Sequence, residues 1–368
     1  MMPACDLVPQ HIRSIAAYQP GKPISELERE LGLQRIIKLA SNENPLGPSP
    51  RAIEAVRAAL PELALYPDGN GYALKTALAR RFSLTREHIV LGNGSNDVLE
   101  LVARTFLGPE SSAVYSEHAF AVYPLVTQAT GATGIEVPAW AFAHDLEAML
   151  AALRPDTRVL FLANPNNPTG TLLDGATLLQ ALEQVPPRVL VVLDEAYTEY
   201  LAPAQRYDAV AWLSRLPNLL VSRTFSKAYG LAGLRVGFGL AHPEVIDLLN
   251  RVRQPFNVNA LALVAAEAAL GDHDFLERTR TVNAEGIAQL EAGFARLGLP
   301  TIPSCGNFMA VEVGDAGRIY QSLLRQGIIV RPVASYGMPR HLRVTVGLPG
   351  ENAACLAALE CALHEEAR

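Results

Sequence analysis

The chain reads as an α/β protein: a mostly parallel sheet with helices on both faces, followed by a smaller α+β domain. Three features lead there. Short apolar runs near residues 89–91, 113–115, 159–163, 189–193, 219–222 and 235–240 alternate with helical patterns such as 51–60, 72–82, 96–107 and 172–184, the order expected when helices carry the chain from strand to strand. Run 189–193 consists of branched apolar residues throughout, the composition of a strand buried on both faces. Beyond it the texture changes: 259–270 is an alanine-rich helix former, 274–285 and 286–297 prolong the helical pattern, and a few strands follow near 308–313, 328–331 and 341–346. The division implied is an N-terminal arm over 1–40 that joins the small domain, a large domain over 41–270 and a small C-terminal domain over 271–368.

Bulk composition narrows the function classes. With 368 residues, 49% hydrophobic and 18% charged, the chain can bury a large core, and it shows no repeat or low-complexity stretch. A net charge of -6 argues against nucleic acid or an anionic membrane as partner. Cys5, Cys305, Cys355 and Cys361 lack Cys-x-x-Cys spacing and read as reduced thiols of a cytoplasmic protein. The eight histidines are scattered with no pair at ligand spacing, so no metal is expected; no run approaches membrane-span length, and Met1–Asp6 shows no basic-then-apolar leader.

Four strand ends carry chemistry. The strand near 89–91 runs into Gly92-Asn93-Gly94-Ser95-Asn96, where Ser95 or Asn96 is expected to cap a helix whose free amides and dipole attract an anion. The strand 159–163 enters Asn164-Pro165-Asn166-Asn167-Pro168-Thr169-Gly170; this is good turn chemistry in its own right, and it also offers the amide of Asn167 as a donor. Strand 189–193 ends at Asp194-Glu195-Ala196-Tyr197. Such an ending also describes nucleotide hydrolases that hold magnesium, but the Gly-x-x-x-x-Gly-Lys-Ser/Thr phosphate loop they need is absent. The last strand, 219–222, leads to Thr224, Ser226, Lys227 and then Arg235. A lysine delivered at a strand end can form a Schiff base, while two hydroxyls and a guanidinium suit a phosphate. That combination asks for pyridoxal phosphate. Its pyridine nitrogen is the cationic partner a buried Asp194 needs, and Tyr197 with Asn167 can hydrogen-bond its phenolic oxygen from opposite sides.

Near the C-terminus, Arg331 in Ile328-Ile329-Val330-Arg331-Pro332 and Arg343 in Leu342-Arg343-Val344-Thr345-Val346 sit in strand-like runs. A salt-bridged strand edge and an anion clamp both fit this pattern.

In their order these motifs resemble the fold type I family of pyridoxal-phosphate enzymes, in the class that contains histidinol-phosphate aminotransferases. The likeness runs nearly end to end, from Tyr18-Gln19 and Ser41-Asn42-Glu43-Asn44-Pro45-Leu46-Gly47-Pro48-Ser49-Pro50 to Leu342-Arg343-Val344-Thr345-Val346-Gly347. It implies Lys227 as the Schiff-base lysine, Asp194 as the pyridinium partner, Asn167 and Tyr197 on the phenolic oxygen, and Ser95, Asn96, Ser226 and Arg235 on the cofactor phosphate, with Thr224 assisting. Phe120 falls where the family stacks an aromatic ring on the cofactor; many members carry tyrosine there, so only stacking remains. Tyr66, in Leu65-Tyr66-Pro67-Asp68, matches a tyrosine that reaches the phosphate in the neighbouring subunit, which implies a homodimer with shared active sites. Arg331 and Arg343 match the arginines that meet substrate phosphate and carboxylate, and Tyr18, Asn42, Glu43 and Asn307 complete the implied substrate wall. The substrates implied are histidinol phosphate and 2-oxoglutarate, exchanging an amino group to give glutamate. An aromatic amino acid or prephenate aminotransferase would share every cofactor residue, and a decarboxylase of phosphorylated amino acids on the same fold is a further alternative. A non-catalytic effector-binding domain of a transcription regulator would need a helix-turn-helix domain and a basic face, and neither is present.

Overall fold

The computed structural model describes residues 4–17 and 19–366. Its centre is a seven-stranded sheet in the spatial order Ile89–Gly92, Gly237–Ala241, Leu219–Thr224, Leu190–Asp194, Thr157–Ala163, Ser112–Ser116, Thr133–Val137. Only Gly237–Ala241 runs antiparallel to its neighbours. The continuous apolar runs are explained by what lies on each face. Val191 and Leu193 enter one core with Leu74, Leu178 and Ala262, while Leu190 and Val192 enter the opposite core with Val98, Leu101 and Tyr123. Because successive side chains point to opposite faces, a strand between two cores has no position for a polar residue until it ends.

Caps set the helix boundaries. Asn259 accepts from the amide of Ala262 and starts the helix Ala260–Leu270. Asp174 accepts from Ala176 and Thr177, so the helix expected over 172–184 is the shorter Gly175–Leu182. The edge strand Thr133–Val137 was not expected: its faces are mostly exposed and it contains Gly134, so it carries neither an apolar run nor a clean alternation.

A second sheet, in the order Arg331–Pro332, His341–Thr345, Phe308–Glu312, Thr301–Ile302, is antiparallel throughout. It packs on a core that includes Leu290, Phe294, Val311, Val344 and Leu359. The tracts 274–285 and 286–297 form one helix, His273–Arg296. Gly286 lies inside it because a side chain there would collide with Val346. The strand expected over 328–331 divides: Ile328–Ile329 pairs in parallel with Ile37–Lys38, while Arg331–Pro332 joins the second sheet. Backbone bonds continue that seam, from Leu39 N to Ile329 O at 2.7 Å and from Thr345 N to Leu39 O at 2.9 Å. Residues 40–42 are thereby carried from the second sheet to the carboxyl edge of the first. Among the described residues no helix is long and apolar enough to cross a membrane, and no cluster of three metal-ligating side chains occurs.

Gly237 begins the antiparallel strand directly beneath the start of the helix Ser95–Phe106. A Cβ there would strike the amide nitrogen of Ser95 and the carbonyl carbon of Gly94, backbone atoms that cannot swing aside. Gly237→Ala should cost about 1–3 kcal/mol in urea unfolding, whereas Gly108→Ala, which meets nothing within 4 Å, should leave the midpoint almost unchanged.

Candidate active site

The carboxyl ends of the central strands open into a cavity of about 190 Å³ closed from the other side by residues 40–42, Arg331, Tyr336 and Arg343. Asp194 is the last residue of its strand, in register with Ala163 on one side and Ser222 on the other. Its Oδ2 accepts from Tyr123 Oη at 3.0 Å, and its buried Oδ1 has no hydrogen-bond partner. Burial pushes the Asp194 carboxyl up to about 6, against the pull of the Tyr123 hydroxyl. Tyr123 is fully buried, stacked on Phe161 at 4.9 Å, and its own ionisation is pushed well above the usual range by burial, so it remains a donor.

Lys227 follows the strand Leu219–Thr224 and points its Nζ at the carbonyl of Ser41, 2.9 Å away. Burial, then the charge of Arg343, pulls its amine down to about 7. Near neutral pH a substantial share of this lysine is therefore the free base, while Asp194 is mostly ionised. A nucleophilic amine and an anion thus coexist in one cavity.

The two donors proposed for a phenolic oxygen are oriented by their neighbours. Asn167 Oδ1 accepts from Arg343 Nη1 at 2.5 Å, which leaves its amide hydrogens as what it offers the cavity. Tyr197 Oη accepts from Asn42 Nδ2 at 2.9 Å, which leaves its own hydrogen to donate. Burial holds that hydroxyl up at about 12, so it stays protonated.

The anion end differs from expectation in one respect. Neither Ser95 nor Asn96 caps the helix: Gly94 does, at φ +81°, with no side-chain cap. The glycine-bearing turn starts the helix one residue sooner, so Ser95 and Asn96 lie in the first turn with both side chains at the cavity. Arg235 Nη1 donates to Ser226 Oγ at 3.1 Å, and a side chain on Gly94 would collide with that guanidinium. Thr224 Oγ1 accepts from Ser226 N at 3.1 Å, fixing the turn between them.

Arg331 and Arg343 are directly opposed in the antiparallel register of neighbouring strands, both are buried, and both line the cavity. Arg331 Nη2 donates to Gln19 O at 2.7 Å and Arg343 Nη2 to Ala40 O at 2.6 Å. Like charges directly opposite on adjacent strands repel, and an anion between them removes the penalty.

Phe120 lines the cavity edge-on to Tyr123, and Asn42 forms part of its floor. Two expected wall residues do not reach it. Asn307 lies behind Asn42, donating from Nδ2 to the Asn42 carbonyl at 3.0 Å, and Glu43 turns outward to Lys38 at 2.7 Å. Asn42 takes a left-handed backbone conformation, φ +55°, which breaks the alternation of an extended run, so Glu43 is not held on the cavity side with its neighbours. Tyr66 is 82% exposed, stacked on Phe256 and away from this cavity; Tyr18 lies outside the described residues. Sequence reasoning missed Tyr123, Tyr336 and the Ser41 carbonyl. Only Tyr123 left a signal, three residues after Phe120 at the start of the helix Val122–Ala129.

Pyridoxal phosphate fits this set: a buried carboxylate oxygen without a hydrogen-bond partner faces the cavity, a lysine with a depressed pKa lies beside it, and the first helix turn with Ser226 and Arg235 forms a cradle suited to a phosphate.

Comparison with known proteins agrees. Residues 34–359 match the family described as Aminotransferase class I and II. The chain is 62% identical to histidinol-phosphate aminotransferase 1 of Thiobacillus denitrificans over 97% of this chain and 95% of that protein. It is 60% identical to histidinol-phosphate aminotransferase of Methylobacillus flagellatus over 96% and 97%. Among solved structures it is similar to histidinol-phosphate aminotransferase from Sinorhizobium meliloti in complex with pyridoxal-5'-phosphate, with a TM-score of 0.91 and 30% identity over all of both chains. A variant of Thermus thermophilus aspartate aminotransferase, 22% identical with a TM-score of 0.83 over 96% and 99%, shares the fold.

The depressed amine of Lys227 has a measurable sign. Below its value the nitrogen is protonated and inert; above it the free base reacts. In cofactor-free protein, acylation of Lys227 followed by peptide mapping should accelerate through pH about 7, and a rise delayed to the ordinary lysine range would contradict the burial.

Proposed function

The chain belongs to the class I and II aminotransferases, and from that premise we propose that it moves the amino group of histidinol phosphate to 2-oxoglutarate, forming imidazole-acetol phosphate and glutamate in histidine biosynthesis. It is a fold type I enzyme with pyridoxal phosphate as cofactor. When bound, the cofactor draws electrons from the carbon that bears the donor's amine.

The protein's part is to bind, orient and move one proton. Asp194 Oδ1 receives the ring N–H, and its Tyr123 bond holds the carboxylate in place. Tyr197 and Asn167 donate to the phenolic oxygen, each turned by a neighbour that occupies its acceptor atom. The first turn of Ser95–Phe106, with Ser226 and Arg235, holds the phosphate, and Phe120 packs against the ring. Lys227 Nζ, desolvated and with its amine pulled down to about 7, would take the proton from the amine-bearing carbon and deliver it to the cofactor carbon bonded to the same nitrogen, so that hydrolysis leaves the amino group on the cofactor. The observation that carries the substrate reading is the opposed pair Arg331 and Arg343. Two buried guanidinium forks suit the phosphate of the donor in one half-reaction and the carboxylates of 2-oxoglutarate in the other.

The enzyme works as a homodimer in which Tyr66 of each subunit completes the phosphate site of the other. Support comes from an apolar surface that includes Leu63, Leu65, Tyr66, Tyr72 and Phe256, with exposures from 46% to 82%. It works in the cytoplasm, a reading supported by Cys305, Cys355 and Cys361, which are free thiols.

In side-by-side assays, Arg331→Ala should lower kcat/KM for histidinol phosphate by about tenfold to a hundredfold, the loss of one charge-assisted pair. Phenylalanine, whose carboxylate keeps Arg343, should suffer less, and Arg343→Ala should impair both donors and 2-oxoglutarate. A wild-type enzyme that prefers phenylalanine would move the assignment to an aromatic aminotransferase.

The dimer is tested by mixing. Tyr66→Phe and Lys227→Ala subunits, refolded together at limiting cofactor, should regain activity, because a heterodimer places both lesions in one site and leaves the other whole. No recovery despite heterodimer formation would show that the sites are not shared.

A further inference from the structure

Two segments of the large sheet hold backbone conformations that L side chains rarely adopt, and both meet the second sheet at one place. His118, at φ +54°, follows the strand Ser112–Ser116 and lies two residues before Phe120 of the cavity wall. Ala141 and Phe142, at φ +49° and +65°, form a two-residue turn closed by reciprocal bonds between Trp140 and Ala143 of 3.0 and 2.9 Å. Turns of this form favour Asn-Gly, so Ala-Phe is retained against local preference. Strained non-glycine positions persist where surrounding contacts over-determine them.

Those contacts converge on Tyr336. The Phe142 ring lies 5.6 Å from the His118 ring and 5.4 Å from that of His341, and it packs on the cluster of Val333, Tyr336 and Met338. His118 Nδ1 donates to the Tyr336 carbonyl at 2.5 Å, since a carbonyl can only accept. The next residue, Gly337 at φ +74°, has no Cβ, and one would come within 3.2 Å of the His118 ring. On its other side the His118 carbonyl accepts from Asn166 Nδ2 at 2.9 Å, tying it to the turn that carries Asn167. Tyr336 ends the short helix Ala334–Tyr336, and its side chain lines the cavity with Arg331 and Arg343.

We propose that His118, backed by Phe142, is a positioning residue for the amino donor: it clasps the Ala334–Tyr336 turn to the large sheet and so fixes Tyr336 as a specificity-determining wall at the arginine end of the cavity. His118 and Phe142 do not line the cavity; they act through the placement of Tyr336. The donor part of the inference rests on the histidinol phosphate reading, whereas the clasp itself does not.

The test uses the full-length holoenzyme and the variants His118→Gly and His118→Asn. Glycine accepts the positive φ but removes the ring; asparagine also tolerates that φ and keeps a side-chain N–H near the position of Nδ1. In His118→Gly, amide hydrogen exchange over 333–338 should accelerate about tenfold without substrate. KM for histidinol phosphate should rise about tenfold with kcat within about twofold, the fold-change of one lost hydrogen bond. His118→Asn should restore most of both. Unchanged exchange over 333–338 in a folded His118→Gly enzyme overturns the clasp, and faster exchange with an unchanged KM overturns the positioning role. A wild-type enzyme that does not turn over histidinol phosphate sinks the substrate reading, and the exchange result then still decides the clasp.

Discussion

Everything in this molecule depends on ending a buried strand with an ionisable group. A strand enclosed on both faces favours apolar side chains, so Asp194 stands at the last position of its strand and Lys227 just past the carboxyl end of the neighbouring one. There the same burial that stabilises the sheet strips water from the charge. Desolvation lifts the Asp194 carboxyl to about 6 and lowers the Lys227 amine to about 7. It also leaves a carboxylate oxygen without a partner. The core and the chemistry therefore share one cause. Filling the two faces with Leu190, Val191, Val192 and Leu193 is also what tunes the groups at the end.

The remaining charges stand around that edge on two sides. One side combines the amides of the helix Ser95–Phe106, which cannot titrate, with the guanidinium of Arg235, whose close approach the missing side chain of Gly94 permits. The other side offers full charges, Arg331 and Arg343, whose fixed opposition on two strands resembles a vice more than a flexible hand. Between them, Asn42 and Asn167 spend their hydrogen bonds on the protein side. This orients donors before any ligand arrives, and pre-set dipoles in a buried site need little rearrangement when charge develops.

How much of this was legible from the residues follows from the range of each signal. Apolar runs are local, so the strands that end at Asp194 and Thr224 could be placed to within a residue or two, and with them the residues that follow. Caps are local too, but the choice among Gly94, Ser95 and Asn96 depends on the φ of a single residue, which composition does not encode. The edge strand Thr133–Val137 has one partner and a wet face, and so carried no pattern to read. Tyr336 and the Ser41 carbonyl belong to the cavity only because distant segments fold over it. Nothing in their neighbours announces the role, just as nothing beside Asn307 or Glu43 tells that Asn307 sits behind Asn42 and that Glu43 pairs with Lys38.

The seam between Ile37–Lys38 and Ile328–Ile329 joins an early part of the chain to a very late one. The carbonyl that receives Lys227 and the amide that turns Tyr197 lie only a few residues beyond that seam, at Ser41 and Asn42. A short stretch of chain therefore ties two contacts inside the cavity to a strand pairing outside it, so the aim of the Lys227 amine and of the Tyr197 hydroxyl depends on a backbone register that no cavity residue sets.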